Sequence, residues 1–164
     1  GAYKSDMGYI VTSVKVLTPD FKVITMTNRE LDFHYRTSFL QKHPDYICLE
    51  ATLKLKQGKK EAIEQVNKER KQRRLESQPL EYPSAGSVFR NPEGMYAGQL
   101  IEQLGLKGLR KGGAQISEKH ANFIINRDHA SAQDIKDLIE FTKEAVLEKY
   151  HVDLKVEQEF VNWE

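Results

Sequence analysis

The chain has 164 residues, of which 39% are hydrophobic and 30% charged, and its net charge is +1. That length suits one domain or two small ones, and a charge so near zero argues against non-specific nucleic-acid binding as the main task. No apolar run approaches the roughly 20 residues of a membrane span, and no signal-peptide pattern opens the chain. Cys48 is the only cysteine, which excludes an internal disulfide and fits a reducing cytoplasm. The chain opens Gly1-Ala2-Tyr3 without a methionine, so a fragment or processed form of a longer product is expected.

In chain order, residues 8–17 read as a strand, with Ile10, Thr12, Val14 and Val16 on one face. Pro19 and Asp20 signal a turn, and Lys22–Met26 is the expected partner strand. Residues 46–56 give the clearest alternation. Ile47, Leu49, Ala51, Leu53 and Leu55 share one face, while Cys48 falls on the charged side with Glu50, Thr52, Lys54 and Lys56. A half-buried strand of an antiparallel sheet has this pattern. After Gly58, Lys59–Leu75 is densely charged with few apolar anchors and reads as an exposed helix. Pro79 and Pro83 frame an extended segment. A short helix is expected over Met95–Leu104, ended by Gly105. Phe123-Ile124-Ile125 reads as a buried strand, and Ser131 with Asp134 as a capping box. The helix behind that box presents Ile135, Leu138, Ile139, Val146, Leu147 and Tyr150. Val152–Val161 is the expected closing strand.

The side chains that carry chemistry are few. The five histidines, His34, His43, His120, His129 and His151, lack metal-ligand spacing, so no metal site is expected. The basic run Lys68–Arg74 is read as a solvated helix face balanced by Glu61, Glu64 and Glu69. Glycines and three cations alternate over Gly105–Gly113, which could hold phosphates. It is not a Walker loop, and a plain glycine-rich connection is the simpler reading. The segment Pro83–Pro92 (PSAGSVFRNP) places a serine after a glycine and follows it with Arg90 and Asn91. It does not match the Gly-x-Ser-x-Gly elbow of a hydrolase.

PSAGSVFRNP resembles the serine motif of the flavin-dependent UDP-N-acetylenolpyruvoylglucosamine reductases. LKGLRKGGAQISEKHANFIIN (Leu106–Asn126) resembles the next segment of that family. Upstream, Phe33-His34-Tyr35-Arg36-Thr37-Ser38 resembles its Phe-x-Tyr-Arg-x-Ser motif. Gly1-Ala2-Tyr3 resembles the end of a motif that lies against the flavin, and Leu154–Val161 resembles its final Leu-x-x-Glu strand. The motifs occur in family order over essentially the whole chain. Lys4 stands where a glycine is usual, Gln158 and Glu159 where Val-Arg is usual, and Asn162 where a glycine is usual.

The resemblance implies an α+β fold. Residues 1–57 would be part of an antiparallel sheet ending the FAD-binding domain, 58–76 a connecting helix, and 77–164 a compact substrate-binding domain. It implies reduction of UDP-N-acetylglucosamine enolpyruvate to UDP-N-acetylmuramate, with FAD as cofactor and NADPH as hydride donor. Ser87 would be the proton donor, and Arg36 would hold the substrate carboxylate. Glu157 would orient Arg36 or hydrogen-bond the enol. Tyr35, Arg90, Asn91, Lys107 and His120 would contact substrate, and Gly1, Ala2 and Tyr3 would contact flavin. The family's glycine-rich flavin-binding module does not precede Gly1, so the chain alone is expected to be inactive. Two other readings remain open, a non-catalytic UDP-sugar-binding module and a nucleic-acid binder using Lys68–Arg74.

Overall fold

The computed structural model describes residues 5–162. The chain is α+β and resolves into two compact units, Gly1–Lys60 and Glu61–Glu164.

In the first unit, a 3-10 turn at Met7–Tyr9 is capped by Asp6, which accepts from Gly8 N at 2.9 Å. The strand expected from residue 8 therefore begins only at Val11. Strand β1 (Val11–Leu17) lies between β2 (Val23–Thr27) and β3 (Ile47–Leu53), all antiparallel. A single turn, α1 (Phe39–Lys42), precedes β3. The core is Val11, Val14, Val16, Met26 and Leu31, backed by half-buried Phe33, Phe39, Leu40 and Tyr46.

Two bulges change the faces that parity implies. One extra residue in β1 sits between Val11 and Ser13, so Val11 is buried and Thr12 exposed. A second break lies between the pairs Lys15–Glu50 and Val16–Cys48, which leaves Leu49 as the extra residue. Inserting one residue exchanges the faces beyond it. Cys48 is thereby opposite Val16 rather than on the side of Glu50 and Lys15. The expected half-burial of β3 also fails. All seven of its residues are exposed, with Ile47 56%, Leu49 52% and Leu53 45% accessible, and Leu55 lies beyond the strand. β3 is an edge strand, and among the described residues nothing in the unit covers it.

In the second unit, α2 (Lys60–Ser77) is exposed along its whole length. Strands β4 (Ser84–Ser87), β5 (Arg110–Lys111), β6 (Ala114–Ile116) and β7 (Phe123–Asn126) form an antiparallel sheet in the order β4-β7-β6-β5. One face carries Ala114, Ile116 and Ile124. With α3 (Ala97–Gln103) and α4 (Ala132–Tyr150), these build the core around Val88, Ile101, Leu138, Ile139, Val146 and Leu154. The opposite face carries a row in register, Ser84, Ile125, Gln115 and Arg110, and beside it Ser87 opposite Phe123.

Helix α4 starts where the sequence placed it. Ser131 Oγ accepts from Asp134 N at 3.1 Å, and Asp134 Oδ2 accepts from Ser131 N at 2.9 Å. These two bonds satisfy donors that a helix start otherwise leaves open. Leu147, expected among the anchors, is instead 47% exposed. The glycine-rich turn has a packing role at Gly113. A Cβ there would lie 1.9 Å from Asp128 O, and Gly113 O accepts from Arg127 N and Asp128 N. The expected closing strand is absent. Val152–Val161 forms no named strand; its one β-bridge joins Val156 to Phe89, and Leu154 is buried in the core. β4 ends at Ser87, so the ladder available to the C-terminal segment is only Val88–Arg90. No helix of the described residues is long and apolar enough to cross a membrane.

Candidate active site

Ser87 ends β4 on the open face of the second sheet, exposed, and among the described residues its hydroxyl has no hydrogen-bond partner. The next two residues, Val88 and Phe89, turn into the core at 1% and 3% exposure. Arg90 returns to the surface. The C-terminal segment pairs across this stretch, with Arg90 N donating to Lys155 O and Glu157 N donating to Val88 O, both at 2.8 Å. This pairing sets Arg90 and Glu157 side by side. Arg90 Nε lies 3.0 Å from Glu157 Oε2, an oxygen shielded from solvent. The Arg90 side chain is 43% exposed and that of Glu157 29%, so the pair is only partly withdrawn from water.

Asn122, which sequence reasoning did not single out, fixes this stretch from the other side. At 4% exposure, its Oδ1 accepts from Phe89 N at 2.9 Å and its Nδ2 donates to Phe89 O at 2.8 Å. Its own carbonyl accepts from Val88 N at 2.9 Å. The serine and the ion pair are thus held through one buried amide. The one available signal was a polar residue inside an apolar run, Ala121-Asn122-Phe123-Ile124-Ile125.

Asn91 is exposed, and its Oδ1 accepts from Ala97 N at 3.1 Å at the start of α3. Lys107, expected to meet a phosphate, is paired with Glu102 at 2.5 Å. His120 is half-buried, with its ring 4.8 Å from Phe123. Its Nδ1 accepts from Asn122 N at 3.2 Å. Burial, aided by the nearby Lys107 charge, holds its pKa below the ordinary histidine value. Ser87 thus pairs through its backbone with Phe123, against which the His120 ring lies, and Arg90 and Glu157 flank the Phe89–Val156 bridge.

Tyr35 and Arg36 belong to the first unit, at the tip of a tight turn. His34 N donates to Thr37 O at 2.9 Å, and Thr37 N donates to His34 O at 3.2 Å. Arg36 adopts φ 58°, unusual for a residue with a side chain. Its guanidinium lies 5.0 Å from the Tyr35 ring centroid. Both side chains are exposed. Gly1, Ala2 and Tyr3 lie outside the described residues. Among the described residues no group of three or more His, Cys, Asp or Glu is placed to hold a metal ion.

The second unit is thus a small α+β domain with an exposed serine at the end of β4 and an Arg–Glu pair formed three residues further on. Residues 78–161 match the family model of the C-terminal domain of UDP-N-acetylenolpyruvoylglucosamine reductase, and the chain belongs to that family. The UDP-N-acetylenolpyruvoylglucosamine reductase of Anoxybacillus flavithermus is 48% identical over 98% of this chain, and that of Bacillus subtilis 47% over the same share. The crystal structure of the reductase (MurB) from Thermus caldophilus superposes with a TM-score of 0.81 at 38% identity, covering 97% of this chain and 56% of that one. The chain spans about half the length of the curated relatives, 53% in each of the two named.

Proposed function

We propose that this chain supplies the substrate side of a flavin-dependent reductase, which converts UDP-N-acetylglucosamine enolpyruvate to UDP-N-acetylmuramate with NADPH. What supports this reading is the unpartnered, exposed hydroxyl of Ser87, three residues before the Arg90 that pairs with Glu157, within the segment that matches the family model. In this reading residues 1–57 end a FAD-binding domain, 58–76 connect, and 77–164 bind substrate.

The residues expected to contact flavin, Gly1, Ala2 and Tyr3, lie outside the described residues. FAD would be held largely by the part of the family's length that this chain does not span. When bound and reduced by NADPH, it supplies a hydride to the enolpyruvyl group.

The chain's own residues do the rest. Arg36 holds the substrate carboxylate, where a planar, permanently charged guanidinium stabilises enolate character as it develops. Ser87 Oγ gives its proton to the neighbouring carbon, completing the lactyl ether. A serine hydroxyl is a weak acid, so this transfer needs a strongly basic acceptor. Arg90 is held by Glu157 and places positive charge near the Ser87 oxygen as it becomes anionic. Glu157, so paired, hydrogen-bonds the enol rather than titrating in the bulk. Asn91 and His120 border the same rim as sugar or diphosphate contacts. A protein of this kind works in the cytoplasm, where its nucleotide substrates are.

The test is Ser87→Ala in a flavin-loaded protein of full family length. Flavin reduction by NADPH should be unchanged, and reoxidation by substrate should slow on the order of 10²–10⁴-fold. Equal slowing of both half-reactions would remove Ser87 from proton transfer. Binding of the UDP-sugar without any turnover, in the unaltered protein, would favour the non-catalytic module.

A further inference from the structure

Val88, Phe89 and Arg90 follow directly on Ser87, and their backbone is held mainly by one side chain. Val88 and Phe89 are both buried, at 1% and 3% exposure. Neighbours in an extended chain point to opposite sides. The stretch is therefore enclosed on both, and its peptide groups must find partners inside the protein. Five of them do. Val88 O accepts from Glu157 N, and Arg90 N donates to Lys155 O, both at 2.8 Å. Val88 N donates to Asn122 O and Phe89 N to Asn122 Oδ1, both at 2.9 Å, and Phe89 O accepts from Asn122 Nδ2 at 2.8 Å. Three of the five bonds thus rest on Asn122.

The sheet shows why a side chain is needed there. The last pair of the β4–β7 ladder is Ser87 with Phe123. Phe89 is bridged to Val156 on one side, and its own N–H and carbonyl both bond on the other. On that side the backbone of Asn122 is already committed. Its carbonyl takes Val88 N, and its N–H donates to His120 Nδ1 at 3.2 Å. The side-chain amide then stands in for a peptide group, accepting at one end and donating at the other. Asn122 is 4% exposed, so water does not compete for these bonds.

Fixing Phe89 fixes the chain on both sides of it, with Ser87 two residues before and Arg90 one residue after. Both of those side chains are exposed, so the backbone sets where they stand. The Ser87 hydroxyl has no hydrogen-bond partner of its own among the described residues. Chemistry at such a group is sensitive to placement, and a shift of about 1 Å can cost on the order of 10²-fold.

Resting on the proposed function, we infer that Asn122 is a positioning residue for proton transfer from Ser87. Being buried, it acts through the Phe89 peptide groups rather than on substrate. An acid in its place keeps the shape but not the pairing. The carboxylate of Asn122→Asp still accepts from Phe89 N but sets an anion against Phe89 O, which raises its pKa. Once protonated, it regains a donor and restores both bonds.

The experiment follows the two half-reactions in a flavin-loaded protein of full family length. At about pH 8, Asn122→Asp should slow flavin reoxidation by substrate on the order of ten- to a hundredfold, with little change in KM. Flavin reduction by NADPH should be unaltered. The deficit should shrink as pH falls toward about 6 and the introduced acid takes up its proton. His120 is present in both proteins, so the ratio of their rates at each pH removes its titration. Asn122→Ala should show the same deficit without the recovery, and it carries the test if Asn122→Asp does not fold at the higher pH. In a Ser87→Ala background either substitution should add little, because both act on one step. Reoxidation at the unaltered rate, equal slowing of both half-reactions, or full additivity with Ser87→Ala would each overturn the positioning role. If Ser87→Ala by itself slows both half-reactions alike, the proposed proton donor fails instead.

Discussion

His120 packs its ring on Phe123 and accepts a backbone hydrogen bond from Asn122, so the folded chain favours its neutral form. Burial is the main cause of its lowered pKa, and the Lys107 charge adds to it. The unfolded chain takes up a proton near the ordinary value of 6.5 while the folded chain does not. Below that pH the unfolded state binds more protons, so stability should fall as pH falls, from 6.5 down to the lowered folded value. Urea unfolding at about pH 7.5 and about pH 5.5 measures the difference. His120→Gln should flatten it, and a variant with an unaltered pH slope would show that another group is responsible. Neutral His120 also leaves the rim beside Ser87 without an extra cation near neutral pH. On the proposed reading Arg90, paired with Glu157, is then the cation that serves Ser87.

At the scale of elements, β3 is the least settled part of the structure. Its seven residues are exposed, and as the outer strand it presents unpaired backbone groups together with Ile47, Leu49 and Leu53. Such an edge is a template for pairing with another chain. The isolated chain should self-associate with rising concentration in sedimentation experiments. Leu49→Lys should weaken that association on the order of tenfold, as a charge on an edge strand does. A concentration-independent monomer before substitution would contradict this. The alternation at residues 46–56 marked β3 correctly as a strand, because period-2 patterning records which side chains can be buried. It does not record whether a cover is present, nor the two bulges that move Val11 inward and Cys48 across. Local signals fared better where the physics was local. The Ser131–Asp134 box is formed, and the exposed helix after Gly58 runs Lys60–Ser77. The closing strand was misread because hydrophobic spacing at Val152–Val161 says nothing about how little of β4 is left to pair with. Ser87, Glu157 and Arg36 could be named from motifs. The contact of Arg90 with Glu157 and the Asn122 clamp depend on pairings between residues more than 30 positions apart, which no window of sequence displays.

For the whole molecule, the two units differ in how complete they are. The second has a core of thirteen buried residues between a sheet and two helices. The first buries five. With so small a core and β3 exposed throughout, the chain by itself should show no tight stoichiometric FAD binding and no NADPH oxidation in the presence of the enolpyruvyl substrate. A fluorescence titration with FAD and an absorbance assay measure both. Tight flavin binding with turnover would mean that the residues spanned here suffice.

Helix α2 carries a consequence for how the protein can be handled. Every one of its residues is exposed, and it contains Lys68, Arg70, Lys71, Arg73 and Arg74 in close succession. A protease that cuts after basic residues meets a solvated helix there with none of its residues buried. The packed sheet and α4, in contrast, keep their peptide bonds out of reach. Brief trypsin treatment should therefore trim the chain to a product beginning near Leu75 that retains the whole second core. Such a product would be a natural starting point for crystallisation of the second unit by itself.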